Sequence, residues 1–343
     1  MNFLGKYITV ILALLLAVLF GIGALLETQG GGAQSVAEQS SEQQSYIKWF
    51  EFDVTSQALS DAYQLDVKSQ QEEVVLDWIE LLACLGVKYG GDFDRYKASD
   101  LQQLAEQIRS GKQPEDLTAN QKYYNYYLEG YRNVLGGMVG HYEIETETES
   151  GRQMERKYGL KAFSPIAKGY GFSHYDDFGN SRSYGFARKH LGNDLMGSVG
   201  TPIVAVESGV VEALGWNQYG GWRVGIRSAD SGRYYYYAHL RKDRPYAKDL
   251  AVGQTVTAGD VIGYLGMSGY STKENTNNIN VPHLHFGIQL IFDESQKEAN
   301  SEIWIDAYHI VEFLQKNKSA VTKDAETGEY HRTYQMRDPT LYE

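Results

Sequence analysis

His283-Leu284-His285 opens an apolar, strand-like stretch of the chain. Side chains at i and i+2 of a strand share a face, so both imidazoles point to one site while Leu284 enters the layer behind. Upstream, His190-Leu191-Gly192-Asn193-Asp194 offers another imidazole and a carboxylate. Fully extended, His190 and Asp194 would stand roughly 13 Å apart, too far to share an ion. Gly192 permits a turn or bulge that folds both ends towards one point. His190, Asp194 and one histidine of the pair would then supply three N/O ligands and leave a fourth tetrahedral position open. That is the arrangement of catalytic zinc. Calcium and magnesium prefer oxygen-rich shells, so a histidine-rich set points to zinc first. The single cysteine, Cys84, excludes a multi-cysteine site and a disulfide framework. It lies on an apolar helical face and reads as a buried small hydrophobe. His239 ends the strand-like Tyr235-Tyr236-Tyr237-Ala238. It reads either as a structural histidine capped by a tyrosine hydroxyl or as a proton-handling group beside the metal.

These residues need a frame. From Pro202 onward the segments are short, β-branched and punctuated by glycine, which indicates an antiparallel sandwich or barrel. Residues 46–142 are instead helical in pattern. Val74, Val75, Trp78, Ile79, Leu81, Leu82 and Leu85 recur at 3-4 spacing before Gly90-Gly91. Ser99 with Gln102, and Thr118 with Gln121, read as caps of two further helices. Residues 143–160 read as a charged spacer, 161–292 as the site-bearing domain, 293–320 as an extension with a helix, and 321–343 as a loosely held polar tail. The fold class expected is therefore α+β.

Residues 8–26 are apolar with Lys6 before and Glu27 after, and their length suits a bilayer core. The reading is a transmembrane anchor behind a stub at 1–7, with a cleaved signal peptide as the rival. The bulk of the chain is then extracytoplasmic, tethered by the Gly/Ser/Gln-rich linker 27–45. With 32 Lys+Arg against 44 Asp+Glu, the net charge of −12 excludes nucleic acid as the main partner.

His190–Asp194, Gly200-Thr201-Pro202-Ile203-Val204-Ala205, Tyr237-Ala238-His239-Leu240, Ala258-Gly259-Asp260-Val261-Ile262-Gly263, Gly266-Met267-Ser268-Gly269 and Pro282-His283-Leu284-His285-Phe286 occur in this order. The set resembles the lysostaphin/LytM-type peptidoglycan metallo-endopeptidases over roughly residues 165–290. The resemblance implies one Zn²⁺ held by His190, Asp194 and His285, with His239 and His283 as catalytic imidazoles. It implies a barrel-like duplicated hybrid motif with a groove over the open zinc position, and peptidoglycan as partner. His174-Tyr175-Asp176-Asp177-Phe178-Gly179 and the helical N-terminal part resemble a subgroup from spore-forming Firmicutes that acts on sporulation or cortex peptidoglycan between L-alanine and D-glutamate. Aromatic residues Tyr219, Trp222 and Tyr270, and the cations Arg182, Arg223 and Arg227, are candidate groove-edge contacts.

Three other readings compete. An inactive relative would bind peptidoglycan or a partner as an envelope scaffold, but such a protein usually loses one of the five positions, and all five are intact. A phosphohistidine carrier or a lipoyl or biotinyl domain shares the Gly-Gln-x-Val-x-x-Gly-Asp-x-Ile-Gly pattern, but no lysine sits at the turn where a swinging-arm cofactor would attach, and a phosphocarrier has no use outside the cytoplasm. A membrane scaffold would make the helical region the working part.

Overall fold

Side-chain caps define where the helices begin. The computed structural model describes residues 46–184, 186–297 and 301–342. Its first helices are α1 (Ser56–Ser69), α2 (Trp78–Tyr89), α3 (Ala98–Arg109) and α4 (Gln121–Leu135). Thr55 accepts from Ala58 N to open α1, Asp77 from Ile79 N and Glu80 N to open α2, and Asn120 from Lys122 N and Tyr123 N to open α4. Gly90, at φ 69°, closes α2 in the left-handed conformation. The sequence placed several starts differently. Val74 and Val75 precede α2, because Asp77 captures its free N–H groups, and Val75 is 57% exposed. Ser99 lies inside α3, which starts without a side-chain cap, and the Thr118 hydroxyl bonds Glu115 O instead of opening α4.

The expected spacer is a ten-rung hairpin of β1 (Val139–Thr148) and β2 (Gly151–Leu160), paired from Val139↔Leu160 to Thr148↔Gly151. Its charged residues hid the strand pattern. The strands that follow are β3 (Ser173–His174), β4 (Ser181–Tyr184), β5 (Phe186–Lys189), β6 (Asn193–Met196), β7 (Pro202–Val204), β8 (Gly209–Asn217), β9 (Gly221–Ser228), β10 (Arg233–Ala238), β11 (Thr255–Val256), β12 (Val261–Tyr264), β13 (His283–Leu290) and β14 (Ile303–Ile305). The main sheet is antiparallel in the order β11-β8-β9-β10-β13-β6-β3, with β14 also on β13, while β7 and β12 form a separate pair. The α+β class and the antiparallel strands agree with the sequence reading.

The C-terminal segment is held rather than loose. After helix α5 (Tyr308–Leu314), β15 (Val321–Lys323) pairs with β16 (Tyr330–Arg332), and β17 (Met336–Arg337) extends the hairpin sheet beside β1. Lys161 Nζ meets Asp338 Oδ1 at 2.8 Å with both side chains almost fully buried. A sequence this polar gives no periodic apolar signal, so its docking depends on ion pairs such as Lys161–Asp338 and Arg332–Asp260 and on strand edges supplied from elsewhere.

Residues 46–343 form one compact unit. Helical and sheet residues share a continuous core, in which Trp78 of α2 stacks on Phe313 of α5 with ring centroids 5.9 Å apart. The fully buried Arg233 donates to Asn133 O at 2.7 Å and pairs with Glu207 at 2.9 Å, so the end of α4 is bonded to the sheet. The stub, anchor and linker expected over 1–45 lie outside the described residues. Among the described residues, no helix is long and apolar enough to cross a membrane.

Candidate metal centre and its groove

Strand register assembles the centre. β13 pairs with β6 so that His285 lies opposite Asp194, and with β10 so that His285 lies opposite Ala238. Leu284 is fully buried behind the sheet, which leaves His283 and His285 on the same face, as the alternation requires. His190 is brought in by the turn through Gly192. Space rather than a left-handed φ explains that glycine. A Cβ there would sit 2.6 Å from Phe286 O and 2.8 Å from the His285 ring.

Three donors converge. His190 Nε2 is 3.0 Å from Asp194 Oδ1 and 2.8 Å from His285 Nδ1, and His285 Nδ1 is 3.3 Å from Asp194 Oδ1. A tetrahedral ion with bonds of about 2.0–2.1 Å separates its ligands by roughly 3.3 Å, so the imidazole/imidazole/carboxylate set fits zinc in type and in spacing. Asp177 and Arg182 complete the surroundings. His190 Nδ1 donates to Asp177 O at 3.0 Å, and Asp177 Oδ1 accepts Asp194 N at 3.2 Å. Arg182 pairs with Asp177 at 2.6 Å and with Asp194 Oδ2 at 3.3 Å. Such outer partners fix which ring nitrogen faces a metal and how the ring is turned. Asp177 was missed as a site residue in the sequence; its only signal was the polar run from His174 to Gly179.

Charge follows the same geometry. Burial opposes protonation of His190, but hydrogen bonds and charge from Asp177 and Asp194 outweigh it and raise the ring to about 9. Burial likewise opposes ionisation of Asp194, yet His190, His285 and His283 hold it well below the usual carboxylate range.

His239 and His283 stand beside the donors. His283 Nε2 is 3.6 Å from Asp194 Oδ1, and the rings of His239 and His283 are 4.8 Å apart. His239 Nδ1 is 2.9 Å from Ser268 O, and His283 Nδ1 is 2.8 Å from Val281 O. A carbonyl only accepts, so each ring carries a proton on Nδ1 and turns its Nε2 away from that carbonyl. His239 reaches this position through a left-handed backbone, φ 62°, just past β10. Burial, reinforced by His283 and His285, depresses its pKa well below the usual histidine value. The sequence alternative of a histidine capped by a tyrosine hydroxyl does not hold, since a backbone carbonyl takes that role.

A cavity of about 750 Å³ runs from His190, His239 and His285 along the exposed sheet face, over Tyr236 and Tyr234. Tyr219 and Tyr270 line it as expected, whereas Trp222 packs between Trp216 and Tyr246 and donates to Asn275. Of the three candidate cations, Arg223 lines the groove. Arg182 is spent on the metal donors, and Arg227 is buried and paired with Glu294. Arg188, not singled out in the sequence, joins the wall by donating to Tyr270 Oη at 2.7 Å.

Comparison with known proteins places this geometry. Residues 188–300 match peptidase family M23. The chain is 40% identical over 117 residues to the L-Ala–D-Glu endopeptidase of Bacillus subtilis, covering 34% of each protein. It is 36% identical over 136 residues to lysostaphin of Staphylococcus simulans, covering 39% of this chain and 24% of that protein. The chain thus spans about a third and about a quarter of the length of these two curated relatives. A solved structure from Ruminococcus gnavus, provisionally described as a glycyl-glycine endopeptidase lytM, superposes with TM-score 0.50 and 26% identity over 80% of this chain and 92% of that one. The segment 188–300 that matches peptidase family M23 is the one that carries the three donors and both flanking imidazoles.

Proposed function

We propose that this chain is a zinc metallo-endopeptidase that hydrolyses peptide bonds of peptidoglycan. The observation that carries the reading is the convergence of three donors, with two further imidazoles beside them, at the head of an open groove. His190, Asp194 and His285 would hold the ion, which when bound polarises the scissile carbonyl and acidifies water at the open position. One of the Nε2 atoms of His239 and His283 accepts a proton from the attacking water. The other ring, carrying a proton on Nε2, steadies the tetrahedral oxyanion formed by that attack or gives the proton to the departing amine as the C–N bond breaks.

Within peptidoglycan we propose the L-alanine–D-glutamate bond of the stem peptide, during cell-wall or spore-cortex remodelling. The likeness to the Bacillus subtilis enzyme supports this choice over a glycine bridge. In the same reading residues 8–26 anchor the chain as a single span, with the catalytic part extracytoplasmic and near the wall. External protease on intact protoplasts should then digest the region beyond the anchor.

Cell wall digested with zinc-loaded protein and labelled at new amines tests the substrate. D-glutamate amino termini are expected. Glycine termini without D-glutamate would move the cleavage site to a cross-bridge. No new amine would remove the peptidase reading in favour of an envelope scaffold.

A further inference from the structure

Arg223 is a cation in the groove without an ionic partner. Its side chain is half-buried and lines the cavity, and among the described residues its Nε is buried without a hydrogen-bond acceptor. The Tyr234 hydroxyl hydrogen-bonds its guanidinium, and the Tyr236 hydroxyl is close enough to feel its charge; both are neutral partners. Among the described residues no carboxylate forms an ion pair with it. The groove's own acids are engaged elsewhere: Glu212 pairs with Lys297 at 2.9 Å, and Glu302 accepts Trp304 Nε1 at 2.8 Å. The other arginine of the wall, Arg188, lies over the Tyr219 and Tyr270 rings and bonds the Tyr270 hydroxyl. A guanidinium held partly out of water with an unused donor is costly unless something accepts from it, and its planar fork fits a carboxylate.

Register sets its distance from the centre. β9 pairs with β10 up to Val224↔Tyr237, so Arg223 falls next to Ala238, which itself lies opposite His285. Arg223 and His285 thus share a face on either side of a single methyl group. Two strand spacings amount to roughly 10 Å. A peptide advances about 3.3–3.6 Å per residue, so a group bound by Arg223 lies within a few residues of the bond being cut.

We propose that Arg223 anchors a free carboxylate of the substrate peptide close to the scissile bond, selecting an acidic residue there. The inference rests on the peptidase reading and deepens it. In a stem peptide the matching group is the α-carboxylate left free when D-glutamate is linked through its side chain.

Two probes test this: N-acetylated, γ-linked L-Ala–D-Glu–L-Lys, and the same peptide with that α-carboxylate converted to an amide. Binding is measured by calorimetry and cleavage by kcat/KM, for wild type, Arg223→Gln and Arg223→Lys. Wild type should favour the acid by roughly ten- to a hundredfold in both readouts. Arg223→Gln should treat the two peptides alike, with the amide handled as by wild type, and Arg223→Lys should recover part of the preference. No preference in wild type, or a preference surviving in Arg223→Gln, overturns the anchor. Preferential binding lost in Arg223→Gln, with neither peptide cut by the wild-type zinc protein, would uphold the anchor and remove the peptidase reading.

Discussion

In the proposed reading each of the five site residues has a separable job, because each offers a different atom to the centre. Removing one donor of three leaves an ion poorly held. His190→Ala, Asp194→Ala and His285→Ala are each expected to lose most bound zinc in elemental analysis, and stoichiometric zinc in all three would refute the assignment. His239→Ala and His283→Ala should retain zinc but lose on the order of a hundredfold in kcat, since they remove proton transfer and oxyanion support. A nearby residue tests burial instead of chemistry. His174 stacks on Tyr308 at 4.4 Å, and both of its ring nitrogens are buried without partners among the described residues. Burial lowers its pKa to about 4 from an ordinary 6.5. Between these values the unfolded chain binds more protons than the folded one. The neutral ring therefore costs nothing above pH 6.5 and destabilises progressively as pH falls towards 4. His174→Phe, which keeps the stack, should remove about 2 kcal/mol of the acid-side loss in urea titrations. Parallel pH profiles for the two proteins would show that the ring plays no such part.

At the scale of elements, the site depends on how closely two segments can pass. Gly192 lies where the turn after β5 crosses β13, and the space beyond its Cα is filled by Phe286 O and the His285 ring. Gly192→Ala alters no donor atom, yet it must push the ligand ring or the strand aside. Zinc affinity is expected to fall roughly tenfold, as for lost outer support of a ligand, with a comparable loss of activity. Unchanged zinc affinity in competition with a chelator would show that the turn can yield. The other elements were legible to different degrees. The i, i+2 pair of β13 and the strands beyond Pro202 could be read directly, because alternation and turn residues are local. Helix starts slipped by several residues where the true cap lay outside the apolar pattern, as at Asp77 and Asn120. The β1–β2 hairpin was invisible, since its strands are polar and mostly partly exposed.

Across the whole molecule, distant segments close onto one core. The Lys161–Asp338 pair is the test case, because an ion buried without its partner is far more costly than the intact pair is favourable. Asp338→Ala should destabilise the protein by about 3–5 kcal/mol in chemical denaturation, and ending the chain at residue 320 should do at least as much harm. A loss below about 1 kcal/mol would return the C-terminal segment to the status of a tail. Arg233 acts similarly between α4 and the sheet, satisfying helix-end carbonyls with a charge balanced by Glu207 and Asp230.

The sequence by itself determined the shared face of His283 and His285, because alternation along a strand is local, and it offered the five-residue set only through the order of its motifs. Only the tertiary structure decided which nitrogen of each ring faces inward, since that is fixed by carbonyls such as Ser268 O, which lies 29 residues from His239. It alone separated Arg223 from Arg182 and Arg227. The three share a side chain, and their difference lies in which acids the fold brings beside them: Asp177 and Asp194 for Arg182, Glu294 for Arg227, and none for Arg223 among the described residues.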